Sequence, residues 1–388
     1  MATLVYALSG EGRGHATRAQ TVIDELRTEH AIKVYGYGQA VDFLAPLYRG
    51  TNVEVRKVPG LHFRYTRSGS LDYLRTLIAS APYLVQLKPR LDRLTRELER
   101  DAPSLVISDF EPLLPRVADR LGVPFVSLDH QHFLTAYDLR SLPRRLRAYA
   151  YGLAPWVHLY YSGQVHSIIS SFYEAPLLPR RRNVTRVGVL LRAEVLNAQP
   201  ALADHLVVYV RRQVPSNVLT ALTGLGLPVH VYGLGSQPSR GQVSFHAIDP
   251  RRFIEDLATG RALVSTAGNQ LVGEALYLGK PVLALPEAGN FEQAINAHFL
   301  QASGMGETLP IRALDRGRLR IFLERVDTLR SRIDRASICG NEATLRVLRE
   351  QLRLAHAGAE DAAGQPLAAS PALPRPRPRR RDGSLAAT

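Results

Sequence analysis

Thr266-Ala-Gly-Asn-Gln-Leu-Val-Gly-Glu274 is followed by Gly279-Lys-Pro281, Pro286 and Glu292-Gln293-Ala-Ile-Asn296-Ala297. This stretch reads as a strand end, a small-residue turn, a helix carrying one acid, a buried strand over 281–285, and a second helix opened by an acid–amide pair. A helix N-terminus with free N–H groups attracts an anion such as a diphosphate. That places Thr266, Gly268, Asn269 and Gln270 around phosphate. Glu274 lies on the same helix, where its carboxylate accepts two ribose hydroxyls. Glu292 and Gln293 supply the acceptors and the mixed donor/acceptor that read sugar hydroxyls. Phosphate, ribose and hexose ligands in one block imply a nucleotide-sugar site. For any single residue, an ordinary βαβ unit with incidental glycines and a first-turn acid explains as much. The ordered ensemble is what argues for a site.

The block resembles the donor signature of GT-B glycosyltransferases, in particular the lipid-linked N-acetylglucosaminyltransferase of peptidoglycan synthesis and the UDP-glycosyltransferases. The resemblance runs from the N-terminus to about residue 350. It implies two Rossmann-like, doubly wound parallel-sheet α/β domains facing a central cleft, with Glu274 on ribose and Glu292 and Gln293 on the donor sugar. One position departs. The UDP-glycosyltransferases of plants and animals carry a phosphate-binding His eight residues before the Glu, and Thr266 stands there in this chain.

Working back toward the N-terminus, a second α/β alternation begins at 205–210 and continues through 229–235, 243–247 and 262–265. The first half alternates likewise: strands at Thr3–Leu8, 31–36, 53–58, 105–108 and 125–128, and helices over 16–28 and 71–100. Strands alternating with helices predict parallel sheets. The expected organisation is an acceptor-side domain over 1–185, a linker over 186–203, and a nucleotide-sugar domain over 204–330. A helix over 331–357 then returns to the first domain, and a disordered tail occupies 358–388, rich in Ala, Pro and Arg.

Ser9-Gly-Glu-Gly-Arg-Gly-His15-Ala-Thr-Arg18 follows the first strand. Gly10 and Gly12 fit the start of a dinucleotide fingerprint, but its last glycine falls on His15, and no acid ends the second strand. The loop instead resembles the Gly-x-Gly-His-x-x-Arg opening of a bacterial and archaeal GT-B branch, placing Gly12 and Gly14 beside the donor. By that resemblance His15 is the base that deprotonates the acceptor hydroxyl, oriented by Asp109 at the end of a later strand. A helix-cap histidine and a strand-end turn residue are the bland readings of the same two positions. His130 is a candidate for the acceptor cleft or for a structural role. Arg211 is a further candidate for phosphate, although a solvated basic turn explains it equally well.

Composition narrows the classes. The length of 388 residues suits two domains, and 45% hydrophobic with 22% charged residues suits a globular chain. The single cysteine, Cys339, excludes an internal disulfide and a Cys-based metal site. No Asp-x-Asp occurs, so no metal and no cofactor are expected. The apolar run 4–8 is too short for a signal peptide, and a cytoplasmic location is expected. The net charge of +14 points to an anionic partner. Zinc-finger and RNP patterns are missing, so nucleic acid is not expected. Arg140, Arg144, Arg145 and Arg147 interleave with Leu139, Leu142, Leu146, Tyr149 and Leu153, with Trp156 beyond, as in a segment lying on anionic lipid or in an amphipathic helix packed on the first domain with its arginines in water. The combined expectation is a metal-independent inverting glycosyltransferase, peripheral on the inner membrane face. It moves a hexose or N-acetylhexosamine from a UDP-sugar to a hydroxyl acceptor, a lipid-linked one among the options. A GT-B UDP-sugar epimerase and a degenerate nucleotide-sugar-binding protein are the alternatives.

Overall fold

The computed structural model describes residues 1–10, 13–60, 83, 85–160, 162–179, 182–210 and 215–364, with backbone alone at 13, 159, 160 and 359–364. The first domain comprises β1 (Thr3–Leu8), α1 (Arg13–Leu26), β2 (Ala31–Gly36), α2 (Gly38–Leu47), β3 (Val53–Lys57), α3 (Leu87–Asp101), β4 (Leu105–Asp109), α4 (Leu113–Leu121), β5 (Phe125–Asp129), α5 (Phe133–Ala136), α6 (Arg144–Tyr160), β6 (His166–Ser170) and β7 (Val184–Val187). The second comprises α7 (Ala193–Leu196), β8 (Leu206–Tyr209), α8 (Ser216–Thr223), β9 (Val229–Tyr232), β10 (Gln237–Arg240), β11 (Val243–His246), α9 (Pro250–Thr259), β12 (Leu263–Ser265), α10 (Asn269–Tyr277), β13 (Val282–Ala284), α11 (Phe291–Ser303) and β14 (Gly306–Thr308). A 3₁₀ turn (Ile311–Ala313), α12 (Arg316–Arg330), α13 (Arg335–Ile338) and α14 (Asn341–Gly364) complete it.

The first sheet has the order β3-β2-β1-β4-β5-β6-β7, and its pairings are parallel. The second has the order β10-β11-β9-β8-β12-β13-β14, parallel except for the β10–β11 edge. In both, chain direction reverses about a central pair, β1/β4 and β8/β12. Ligands of such sheets bind outside the strand carboxyl ends at that switch point. Period-2 alternation explains how β1 serves two cores. Leu4, Tyr6 and Leu8 enter one apolar cluster, whereas Val5 and Ala7 enter the cluster on the opposite face.

Two boundaries shift. β7 pairs with β6 as far as Val187, so the first sheet extends past the expected edge at 185. α14 runs to Gly364 rather than stopping at 357, and its Leu345, Leu348 and Leu352 pack with Ala19, Ile23 and Leu26 of α1. Between the domains the chain crosses at 188–192 and crosses back at 338–341. The two crossings lie side by side: Val189 and Cys339 form a parallel bridge, and the Gly340 N–H donates to the Val189 carbonyl at 2.9 Å. A Cβ on Gly188 would lie 2.2 Å from the Ile338 carbonyl oxygen, so this backbone-on-backbone contact requires glycine.

The arginine-rich segment packs its apolar side on the protein. Leu139 and Leu142 are buried, Leu146 and Leu153 pack on the core, and Tyr149 stacks on Phe291 of α11 with ring centroids 3.8 Å apart. These apolar groups pack into a core cluster that both domains share rather than facing outward. Tyr151 and Trp156 remain exposed on α6, at 51% and 61%. No helix among the described residues is long and apolar enough to cross a membrane.

Candidate active site

Asp109 ends β4 and is fully buried. His15 sits in the first turn of α1, with Arg18 three residues on and therefore on the same face. His15 Nδ1 lies 2.8 Å from Asp109 Oδ1. Arg18 grips the same carboxylate with Nε on Oδ2 at 2.9 Å and a terminal nitrogen on Oδ1 at 2.7 Å. A guanidinium only donates and a carboxylate only accepts. The proton of a neutral His15 therefore sits on Nδ1, directed at Asp109. The 3.1 Å approach of the Arg18 nitrogen to Nδ1 is then a donor–donor contact, not a bond. Nε2 is left with its lone pair. The side chain is 12% exposed, and Nε2 has no partner among the described residues. A fixed tautomer with an open basic nitrogen is suited to taking a proton.

Across the cleft stands the N-terminus of α10. Gly268 is its N-cap and no side chain caps it, so its first-turn N–H groups are open to an anion. Ala267, just before it, holds a left-handed backbone (φ 65°), uncommon for a residue with a Cβ. Thr266 is buried beside it. The N-termini of α1 and α10 face one another: a Cβ on Gly14 would lie 3.6 Å from the Gln270 Cβ. Gly273 lets α10 press against Val189 of the crossing, since a Cβ there would lie 2.4 Å from that side chain.

The polar side chains of α10 are committed in this conformation. Asn269 accepts from the Phe172 N–H (3.2 Å) and donates to the Ser170 carbonyl (3.1 Å). Gln270 donates to the Leu190 carbonyl at 2.7 Å and to Glu274 at 3.2 Å. Glu274 is buried and ion-paired with Arg192 at 3.4 Å. To accept ribose hydroxyls it must exchange these partners. Asn290 caps α11 by accepting from the Gln293 N–H at 3.2 Å. The Gln293 carboxamide closes a ring with Glu287, accepting from its N–H (2.8 Å) and donating to its carboxylate (3.1 Å). Glu292 is exposed. Gly12 and Arg211 lie outside the described residues.

His130 is not in an open cleft. It is 1% exposed, with Nδ1 3.1 Å from the Ser170 carbonyl and Nε2 3.0 Å from Asn296 Oδ1. Asn296 in turn donates to the Ala267 carbonyl at 3.1 Å. His130 thus joins the end of β5 to α11 and to the turn before α10. Burial lowers its pKa.

The model of glycosyl transferase family 1 matches residues 2–327. The chain belongs to that family. This glycosyltransferase is 25% identical over 333 residues to a glycosyltransferase of Methanosarcina acetivorans, covering 78% of this chain and 84% of that one. Over 192 residues it is 31% identical to the UDP-N-acetylglucosamine–N-acetylmuramyl-(pentapeptide) pyrophosphoryl-undecaprenol N-acetylglucosamine transferase of Pseudomonas aeruginosa, covering 47% and 51%. A glycosyltransferase-fold structure solved as LpCGTa in complex with UDP superposes with a TM-score of 0.62 at 18% identity, covering 91% and 99%. The fold is GT-B.

Three buried charged residues on or near these elements were not anticipated from sequence. Arg18 was marked only as part of a motif, although its helical spacing from His15 was readable. Arg192 was assigned to linker. Glu111 follows β4 and is fully buried, accepting the N–H groups of Leu113 and Leu114 at 2.9–3.0 Å. Burial pushes its pKa up from 4.5 to about 7, against those hydrogen bonds. Between those values the native state holds a proton that the unfolded chain has lost. Glu111 therefore stabilises most below about pH 4.5, and the contribution is lost as pH rises to about 7, on the order of 3 kcal/mol. Urea midpoints at pH 5 and pH 8 should show this decline in the native chain. An equal decline in Glu111→Gln would exclude Glu111 as its source.

Proposed function

We propose that this glycosyltransferase moves a hexose or N-acetylhexosamine from a UDP-sugar to a hydroxyl acceptor, with inversion and without a metal. The observation that carries the reading is the open Nε2 of His15, its ring fixed through Asp109, opposite the uncapped α10 N-terminus. The acceptor oxygen attacks the anomeric carbon from the face opposite the phosphate. Its proton passes to Nε2 as the bond from that carbon to the diphosphate oxygen breaks. The bond electrons leave with UDP, whose added charge the α10 N–H groups stabilise. Supporting the metal-free part is a sequence without Asp-x-Asp. Incubation of labelled UDP-, dTDP- and GDP-sugars with acceptors in EDTA tests it. UDP release that requires acceptor is expected. An epimerised nucleotide-sugar appearing without acceptor would establish the epimerase instead.

Glu274→Ala is expected to raise the donor Kd roughly ten- to hundredfold, the worth of one charge-assisted hydrogen bond. Calorimetry with UDP on folded variant decides, and an unchanged Kd removes Glu274 from the site.

The acceptor is proposed to be lipid-linked and membrane-delivered. Exposed Tyr151 and Trp156 on α6, with Arg144 and Arg145 at its start, support this. Trp156 is the single tryptophan, so its emission reports directly on contact. A blue shift on anionic vesicles that salt reverses is expected. Unchanged emission at low salt would favour a soluble acceptor.

A further inference from the structure

The second domain carries a histidine cluster that the transfer reaction does not use. His205 stands one residue before β8, His230 is in β9, and Asp256 is on α9, which covers that sheet face. One ligand atom from each lies within 4.8 Å of the other two. His230 Nδ1 is already 2.9 Å from Asp256 Oδ2. The two imidazoles stack, with centroids 4.5 Å apart and planes at 16°. His246 of β11 packs edge-on against His230 at 5.4 Å.

We propose that His205, His230 and Asp256 form a binding site for a transition-metal dication of the Zn²⁺ class. Two imidazoles and one carboxylate are a three-ligand set that leaves a fourth position for water. Imidazole nitrogen selects Zn²⁺, Co²⁺ or Ni²⁺ over Mg²⁺ and Ca²⁺. Ligand atoms about 2.1 Å from a tetrahedral ion lie about 3.4 Å from one another. The cluster therefore contracts by on the order of 1 Å, and the stacked rings tilt toward Asp256 so that their lone pairs converge. Partners outside the ligand set are in place, as at metal sites generally. The Tyr232 hydroxyl donates to Asp256 Oδ2 and fixes the carboxylate. His205 Nε2 lies 2.9 Å from the Asp256 carbonyl, which ties that ring to the helix bearing the third ligand. His230 and Asp256 are 24% and 17% exposed, so an ion has a way in.

The ion pins α9 to β8 and β9. His205 and His230 lie at the N-terminal ends of their strands, and the cleft lies at the carboxyl ends. Metal loading thus changes stability and leaves the transfer rate alone.

The test is Co²⁺ titration of chelator-stripped protein. One Co²⁺ per chain is expected, with visible absorption bands that Zn²⁺ removes and a rise in Tm. His205→Gln and His230→Gln should each weaken Co²⁺ binding at least tenfold and abolish the Tm rise. His298→Gln, away from the cluster, should change neither. Stripped native protein that shows no bands, or both cluster variants binding Co²⁺ as the native chain does, would overturn the site. Should either variant fail to fold, the stoichiometry and spectrum of the native chain still decide.

Discussion

His15→Ala is expected to lower kcat by roughly 10²- to 10⁴-fold, the usual contribution of a positioned general base. UDP affinity should barely change. Nε2 is the one basic nitrogen that the His15–Asp109–Arg18 group leaves open, and it acts on the acceptor proton, not the nucleotide. The variant folds, because the side chain is at the cleft and Asp109 keeps Arg18. Steady-state rates with calorimetric UDP binding separate the two effects. Near-normal kcat rejects the base, and a matching fall in UDP affinity reassigns His15 to the donor. Asp109→Asn should be milder in rate but should move the pH–rate profile, since an amide no longer stabilises a protonated ring.

Arg18→Ala carries the largest expected loss of stability, about 3–5 kcal/mol, because it strips the guanidinium from a fully buried carboxylate. Urea unfolding measures it. Arg18→Lys should recover only part, since an ammonium cannot grip both carboxylate oxygens in a plane. The double variant Arg18→Ala/Asp109→Asn should be more stable than Arg18→Ala alone, because no uncompensated charge remains. A loss below about 1 kcal/mol would mean that water reaches Asp109.

The sequence was most legible where strands are buried on both faces. Thr3–Leu8 and Ala31–Gly36 were bounded as they stand, because continuous apolar runs carry that signal. β6 reads His-Ser-Ile-Ile-Ser, and β10 is the fully exposed Gln-Pro-Ser-Arg, so neither showed a run and both were missed. The helix foreseen over 331–357 breaks into two, α13 and α14, and Asp334 caps the start of the first. The pairing of His15 with Asp109 was expected from the resemblance of the loop after β1, and the structure holds the two side chains 2.8 Å apart. His130 was left between cleft and structural role because its partner, Asn296, is 166 residues away in sequence. The apolar residues in and before α6 left lipid and the protein's own core open for the same reason: periodicity identifies a buried face but not what buries it. Glu274 was singled out for ribose; in the structure it is buried, and its present partner Arg192 comes from a segment with no motif.

The paired crossings at Val189 and Cys339 have a mechanical meaning. Domains joined by one strand of chain can twist, tilt and slide. Joined by two strands bonded together at one edge, they behave like a door on two pins. The remaining freedom is rotation about the line through Gly188 and Gly340. Swinging open along that arc parts His130 from Asn296 and Tyr173 from the Phe299 ring, stacked at 4.2 Å. Swinging shut returns them to the same register. A cleft hinged in this way can part and still close on a single alignment of His15 with the α10 N-terminus, with no adjustment inside either sheet.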